Sequence, residues 1–146
     1  MNPKVTYSQS FIINGGDFIN AGSVSVKIKR LLKEIGLKPE IVYRTAICCY
    51  EAEMNVIMYA KKAVLDFQIT PEEIQVTLKD EGQGIKDIQM ALREGFSTAT
   101  DKMREMGFGA GMGLPNIKKN SDVFVVSSEV NKGTEIIFKI NLDGRN

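Results

Sequence analysis

Histidine is absent from this 146-residue chain, and cysteine occurs only twice. Without an imidazole, any general base must be a carboxylate, an amine, a thiol or a phenol. Cys48 and Cys49 are adjacent in a segment with helical spacing, where neighbouring side chains diverge, so a disulfide between them is geometrically poor. We expect small buried side chains rather than reactive thiols. Two cysteines without histidine also cannot form the usual structural zinc cluster.

The chain also lacks an excess of either charge and any long apolar run. Nineteen Lys and Arg oppose 18 Asp and Glu, a formal charge of +1, so the composition argues against a nucleic-acid partner. No run of about 18 apolar residues and no basic-then-apolar leader are present, which predicts a cytoplasmic protein without a membrane span. A content of 43% hydrophobic and 25% charged residues is typical of a globular protein, and we expect one domain over residues 1–146.

Hydrophobic spacing predicts the order strand, two helices, two strands, helix, loop, helix and two strands. This order indicates an α+β fold, a two-layer α/β sandwich whose mixed, mostly antiparallel sheet carries helices on one face. The stretch from Gly95 to Gly111 is predicted to be a mobile loop. The predicted segments are a strand over 5–13, a helix capped by Asp17 and ending at Gly36, a helix from Pro39 to about Lys62, a hairpin of 64–69 and 74–79, a short helix capped by Asp87, a helix over 114–120 and a hairpin of 123–128 and 135–140.

Glu51 and Asn55 are four residues apart in the second predicted helix, so they share one helical face. An Asn carbonyl oxygen can join phosphate oxygens and waters around magnesium. A neighbouring carboxylate can accept a proton from an attacking hydroxyl or water. The alternative is two polar positions on a solvated helix, and the pair alone does not decide between them.

An acidic glycine box, KDEGQGI, follows the third predicted strand. The carboxylate of Asp80 only accepts hydrogen bonds, which suits the exocyclic amine of adenine, whereas guanine would present a carbonyl there. Gly82 and Gly84 let the backbone pass close to a flat base. A polar turn between a strand and a helix uses the same residues and is the alternative.

Four glycines alternate in MGFGAGMGLPNIKKN, at positions 107, 109, 111 and 113. They expose successive N–H groups, and the helix predicted to begin near Leu114 directs its positive end toward them, an arrangement that attracts phosphate. The G-K-[ST] ending of a Walker loop is absent. Lys102 and Arg104 precede the glycines and could reach a terminal phosphate. A flexible hinge with solvated charges is the alternative.

Together, EAEMN (51–55), DEGQG (80–84) and GFGAGMGL (107–114) resemble the N, G1 and G2 boxes of the GHKL ATPases, the Bergerat-fold group that includes histidine kinases. GTEIIFKI (133–140) is similar to that group's closing strand, in which a threonine, here Thr134, supports the nucleotide. The resemblance implies ATP and Mg²⁺ as ligands, Glu51 as general base and Asn55 as magnesium ligand. The residues expected to contact the nucleotide are Asn55, Asp80, Gly82, Gly84, Lys102, Arg104, Gly107, Gly109, Gly111, Met112, Gly113, Leu114 and Thr134.

Within that group the chain looks most like the bacterial anti-sigma-factor serine/threonine kinases and related switch kinases. The resemblance implies a STAS-domain antagonist as phosphoryl acceptor, a possible sigma-factor partner, a possible homodimer and a lid over 95–107. A histidine-kinase fragment is one alternative, although this chain carries no histidine to phosphorylate. A nucleotide-dependent binding module that captures a regulator with little phosphoryl transfer is the other.

Overall fold

A computed structural model describes residues 5–82, 84–85, 88–93 and 113–142. In these residues five strands form one sheet in the order β1-β2-β3-β5-β4. The elements are β1 (Tyr7–Asn14), α1 (Ser23–Ile35), α2 (Pro39–Tyr59), β2 (Ala60–Ile69), β3 (Glu73–Gly82), α3 (Ile88–Ala91), α4 (Gly113–Asn120), β4 (Val123–Glu129) and β5 (Gly133–Asn141). The predicted α+β class and the order of the helices and strands are confirmed, whereas the predicted cap at Asp87, the predicted mobile loop over 95–111 and the lid over 95–107 lie outside the described residues.

One face of the sheet is buried, and the helices cover it. Strand side chains alternate in exposure, so that Leu65, Phe67 and Phe138 are fully buried while Val125 on the other face is 52% exposed. The α2 helix packs against the sheet and lies between α1 and α4. Its buried stripe contains Ile41, Thr45, Cys48, Ala52 and Val56, as the helical spacing predicts.

The sheet departs from the predicted mixed arrangement. Each pair of neighbouring strands in the described residues is antiparallel. Two hairpins supply the β2–β3 and β4–β5 pairs, and the long connection through α1 and α2 returns the chain so that β2 runs antiparallel to β1.

Two predicted helix boundaries are wrong. Asp17 does not cap α1, because its carboxylate binds Asn20 in the preceding turn, and the helix begins at Ser23 after Gly22. The second helix ends at Tyr59 rather than Lys62, since Ala60 is extended and Lys62 pairs with β1. The β2–β3 ladder therefore reaches back to Ala60, directly after α2.

Both cysteines lie in the core, as expected. Neither is in a disulfide, and both are fully buried. Burial raises the pKa of the Cys48 thiol to about 12 and the pKa of the Cys49 thiol well above its ordinary value. Both thiols are therefore protonated at neutral pH and serve as small apolar side chains.

Candidate nucleotide site

The first part of the candidate site lies where the beginning of α4 meets α2. A Cβ atom added to Gly113 would lie 3.0 Å from Asn55 Oδ1 and 3.4 Å from Glu51 Oε2. The missing side chain thus lets the first turn of α4 approach both polar groups of α2. Three residues that the sequence placed in one site are together, at a helix N-terminus where unpaired N–H groups attract anions.

Glu51 is half-buried at this junction. Burial raises the pKa of its carboxyl, and a hydrogen bond with the Asn116 side chain lowers it in part. Asn116 belongs to α4, so the same helix that begins at Gly113 also orients the carboxyl. A carboxylate with a raised pKa is a better proton acceptor than a solvated one.

Arg44 on α2 fixes the position of the other end of α4, at Asn120. The Arg44 Nε group donates to the carbonyl of Asn120, 3.0 Å away, and its Nη2 lies 3.1 Å from Asp122 Oδ1. Asp122 Oδ2 in turn accepts the N–H of Asn141 on β5 at 2.7 Å. This partly buried ion pair ties α2, the end of α4 and the sheet together.

The second part of the candidate site lies at the end of β3. Asp80 Oδ1 accepts the N–H of Thr134 on β5 at 3.0 Å. Burial raises the pKa of the Asp80 carboxyl, and this hydrogen bond lowers it in part. A Cβ atom at Gly133 would lie only 2.1 Å from the Asp80 carbonyl oxygen, so the β4–β5 turn fits against Asp80 only with glycine there.

The two parts are joined through the end of α2. Gly82 pairs with Ala60, the residue after α2, and a Cβ atom at Gly82 would lie 3.1 Å from Ala60 Cβ and 3.2 Å from Asp80 Oδ1. Asn55 precedes Ala60 by five residues, which corresponds to about 7.5 Å along a helix. The Asp80 region therefore adjoins the residue after α2, about one and a half helical turns beyond Asn55.

Ser128 contributes to this region and was missed from the sequence. Its Oγ accepts the N–H of Ile85 at 2.7 Å, donates to the Gly133 carbonyl at 3.0 Å and lies 2.8 Å from Thr134 Oγ1. Gly84, with φ 77°, is packed against the Glu129 carbonyl on the same hairpin. A lone serine in a strand gives no sequence signal for such a role.

Glu53 was also missed, although it lies between Glu51 and Asn55. It is 1% exposed, and its carboxylate accepts the N–H groups of Gly22, Val24 and Ser25 at 3.0–3.2 Å. It thus caps α1 from α2. The sequence carried one signal for this role, the spacing of Glu53 along α2. Glu53 lies four residues after Cys49 and four residues before Ile57, so its carboxylate falls on a buried stripe of the helix.

The remaining predicted site residues divide into two groups. Leu114 is buried in the core, which leaves its backbone as the part that could face a ligand. The others lie outside the described residues: Lys102, Arg104, Gly107, Gly109, Gly111 and Met112.

The described side chains of the candidate site can hold a magnesium ion only together with oxygen atoms of a bound ligand. Asn55 offers one neutral oxygen, and the described residues contain no group of three His, Cys, Asp or Glu side chains that could hold a metal. Mg²⁺ retains waters and is commonly held by one or two protein oxygens together with substrate phosphates. Asn55 is therefore suited to hold Mg²⁺ on a bound nucleotide.

Comparison with known proteins places this chain in a family. The family model described as the histidine kinase-like ATPase domain matches residues 20–140. The chain belongs to this family. Membership of an ATPase family implies ATP binding, and the matched range contains Glu51, Asn55, Asp80 and Thr134.

Curated relatives of this ATPase domain include a kinase and several anti-sigma factors. The serine/threonine-protein kinase RsbT of Bacillus subtilis (strain 168) is 29% identical over 112 residues, which cover 74% of this chain and 78% of RsbT. The anti-sigma F factor of Geobacillus sp. (strain WCH70) is 34% identical over 100 residues, which cover 68% of this chain and 62% of that protein.

Solved structures support the same fold. The structure of the RsbU and RsbW domains of Rv1364c from Mycobacterium tuberculosis aligns with a TM-score of 0.60 at 14% identity, covering 92% of this chain and 32% of that one. The nucleotide-free catalytic domain of the histidine kinase ThkA aligns with a TM-score of 0.54 at 14% identity, covering 94% and 97%. None of the described helices is both long and apolar enough to cross a membrane.

Proposed function

We propose that this protein is an ATP-dependent serine/threonine protein kinase of the anti-sigma-factor type, which phosphorylates a Ser or Thr of a STAS-domain regulatory protein. The observation that carries the proposal is the junction of Glu51 and Asn55 with the first turn of α4 at Gly113. It combines a proton acceptor, a magnesium ligand and an anion-attracting helix end.

This geometry supports a specific transfer step. The acceptor hydroxyl oxygen attacks the γ-phosphorus and forms a new O–P bond, while the bond to the β,γ-bridging oxygen breaks and its electron pair leaves with ADP. Glu51 accepts the hydroxyl proton. Asn55 would hold Mg²⁺, which would supply positive charge beside the phosphates, and N–H groups of α4 would orient them. Asp80 accepts the adenine amine, with Thr134 fixing the carboxylate.

The similarity to RsbT, which is named a serine/threonine-protein kinase, supports this reaction class. The anti-sigma F factors among the relatives favour a second function, a nucleotide-dependent module that sequesters a STAS protein or sigma factor with little catalysis. A cytoplasmic location and a homodimer accompany either proposal.

Glu51→Gln separates the two functions. Gln keeps the size and the hydrogen bonding of the side chain but cannot accept the proton, so transfer should fall about 10²- to 10⁴-fold while ATP affinity survives. Phosphate incorporation from labelled ATP into purified STAS proteins measures the first quantity, and calorimetry measures the second. Glu40→Gln, an exposed change in the first turn of α2, is the matched control.

Equal, readily measured transfer by the parent and Glu51→Gln would eliminate Glu51 as the base. Absence of transfer by the parent to any STAS protein, with nucleotide-dependent binding retained, would favour the sequestering function.

A further inference from the structure

A groove of about 300 Å³ runs between α1 and α2, on the side of these helices that faces away from the sheet. Its walls include apolar side chains that a monomeric domain would ordinarily bury: Val26 is 52% exposed, Tyr43 64% and Tyr50 38%. Ile47 contributes to the floor. Neighbouring exposed apolar side chains around a concave surface are typical of a binding site.

The groove ends at the candidate catalytic carboxylate. Glu51 lines it together with Tyr43, Ile47 and Tyr50, a stripe of α2 that spans about 12 Å along the helix axis. The hydrogen bond between Ser25 and Glu53 holds the beginning of α1 beside this end of the stripe. Of the described candidate site residues, Glu51 alone lines the groove. It therefore lies between the junction with α4 and the groove, where a proton acceptor must lie if a hydroxyl enters from the groove.

The α1 side of the groove is basic, whereas the α2 side carries the carboxylate of Glu51. Lys29 lines the groove, and no carboxylate of the described residues pairs with this lysine. The exposed surface of α1 carries three more cations, Lys27, Arg30 and Lys33, against the single carboxylate of Glu34. An occupant that carries carboxylates would meet a complementary field.

We propose that this groove docks an extended, acidic and apolar segment of the protein substrate. Apolar side chains fill the space beside Val26, Tyr43 and Ile47, a carboxylate lies beside Lys29, and the segment extends toward Glu51. The length of the stripe accommodates about four extended residues. Delivery of a Ser or Thr hydroxyl to Glu51 rests on the proposed kinase function, whereas docking of the segment does not.

Substitutions in the groove test the docking with transfer to the STAS protein as readout. Lys29→Glu and Val26→Arg should each raise KM for the STAS protein about tenfold or more, while kcat changes by less than about twofold and ATP affinity is retained. Lys62→Glu is the charge control, since Lys62 is an exposed lysine of β2 on the open face of the sheet. Val125→Arg is the apolar control, since Val125 is as exposed as Val26 but lies on the open face of the sheet.

A merely structural effect of the groove substitutions would lower the melting temperature and the ATP affinity in addition to raising KM. Equal KM values for the parent, groove variants and controls would overturn the docking proposal while leaving the kinase intact. If monomer–dimer equilibrium, measured by sedimentation, shifts in Val26→Arg but not in Val125→Arg, a second copy of this chain is the occupant and the proposal is likewise overturned.

Peptide binding tests the docking if the parent transfers phosphate to no STAS protein. The probes are synthetic peptides with one serine among leucines and glutamates, and the same peptides with lysine in place of each glutamate. Backbone amide NMR signals of Val26, Lys29 and Ile47 should shift with the acidic peptides only, and Lys29→Glu should abolish the shifts. Equal shifts with both peptide sets, or none at the groove, would overturn the docking independently of catalysis.

Discussion

The Glu51 carboxyl is held between two opposing influences, burial that raises its pKa and the Asn116 hydrogen bond that lowers it. A base works only when deprotonated, so transfer should fall as the pH falls through the pKa of Glu51. Removing the amide should leave burial unopposed and raise that pKa. The acidic side of the pH profile should therefore move to higher pH in Asn116→Ala.

Transfer rates at saturating ATP across the acidic range, with circular dichroism to verify folding at each pH, measure this shift. Asn14→Ala, an exposed change at the end of β1, should leave the profile where it is in the parent. Movement to lower pH in Asn116→Ala would contradict the assignment of the hydrogen bond.

At the scale of elements, Glu53 connects α1 to α2 by accepting three N–H groups that no other side chain caps. Glu53→Gln keeps one acceptor oxygen but removes the charge and turns an amide toward buried donors. Because a hydrogen bond to a charged group contributes about 1.5–3 kcal/mol, the free energy of unfolding should fall by about 2 kcal/mol. Urea denaturation measures it.

Glu34→Gln, on the exposed side of α1, should change stability by less than about 0.5 kcal/mol. An equal effect of the two substitutions would show that Glu53 does not hold the two helices together. If only Glu53→Gln lowers the stability, the hydrogen bonds of the Glu53 carboxylate also explain why a charged residue is tolerated on a buried stripe.

The turn between β4 and β5 is the second element that can be tested by substitution. In Gly133→Ala the new Cβ would meet the Asp80 carbonyl at 2.1 Å, so the turn or Asp80 must move and ATP affinity should fall about tenfold or more. Gly16→Ala is the matched control, because Gly16 also has a positive φ but a Cβ there meets nothing within 4 Å. Calorimetry measures the ATP affinity of both variants. Equal losses of affinity in Gly133→Ala and Gly16→Ala would indicate backbone strain rather than displacement of Asp80.

The sequence predicted those features that depend on local periodicity. The buried stripe of α2 and both hairpins follow from spacing, turn residues and alternation. The beginning of α1 could not be predicted this way, since Asp17 is a good local cap and the actual cap, Glu53, is distant in sequence. The end of α2 was missed for a related reason: pairing with β1 and β3 overrides the helical propensity of 60–62.

The residues of the candidate site divide in the same way, into those that a sequence pattern predicts and those that it does not. Glu51, Asn55, Asp80 and Thr134 were predicted because three short motifs and the closing strand resemble those of one family; the family is confirmed, and the roles of these residues stay predictions. Asn116 and Ser128 were not predicted, because each acts through hydrogen bonds to residues that are distant in sequence, for which the sequence provides no pattern.

At the scale of the whole molecule, binding energy at this site should appear as thermal stability. A ligand that binds only the folded state at 100 times its Kd stabilises it by about 2.7 kcal/mol, and for a chain of this length the melting temperature should rise by about 5–10 °C. ATP should produce this shift and GTP at the same concentration much less, because Asp80 is the proposed reader of the base and a carboxylate there would accept from the amine of adenine and repel the carbonyl of guanine. Asp80→Asn retains an oxygen for the Thr134 N–H, so the fold should persist, but about tenfold weaker binding should roughly halve the ATP shift. Glu81→Gln, an exposed change next in sequence, should keep the full shift. Differential scanning fluorimetry of the three proteins with each nucleotide measures these values, and equal shifts with ATP and GTP in the parent would remove Asp80 as the residue that selects adenine.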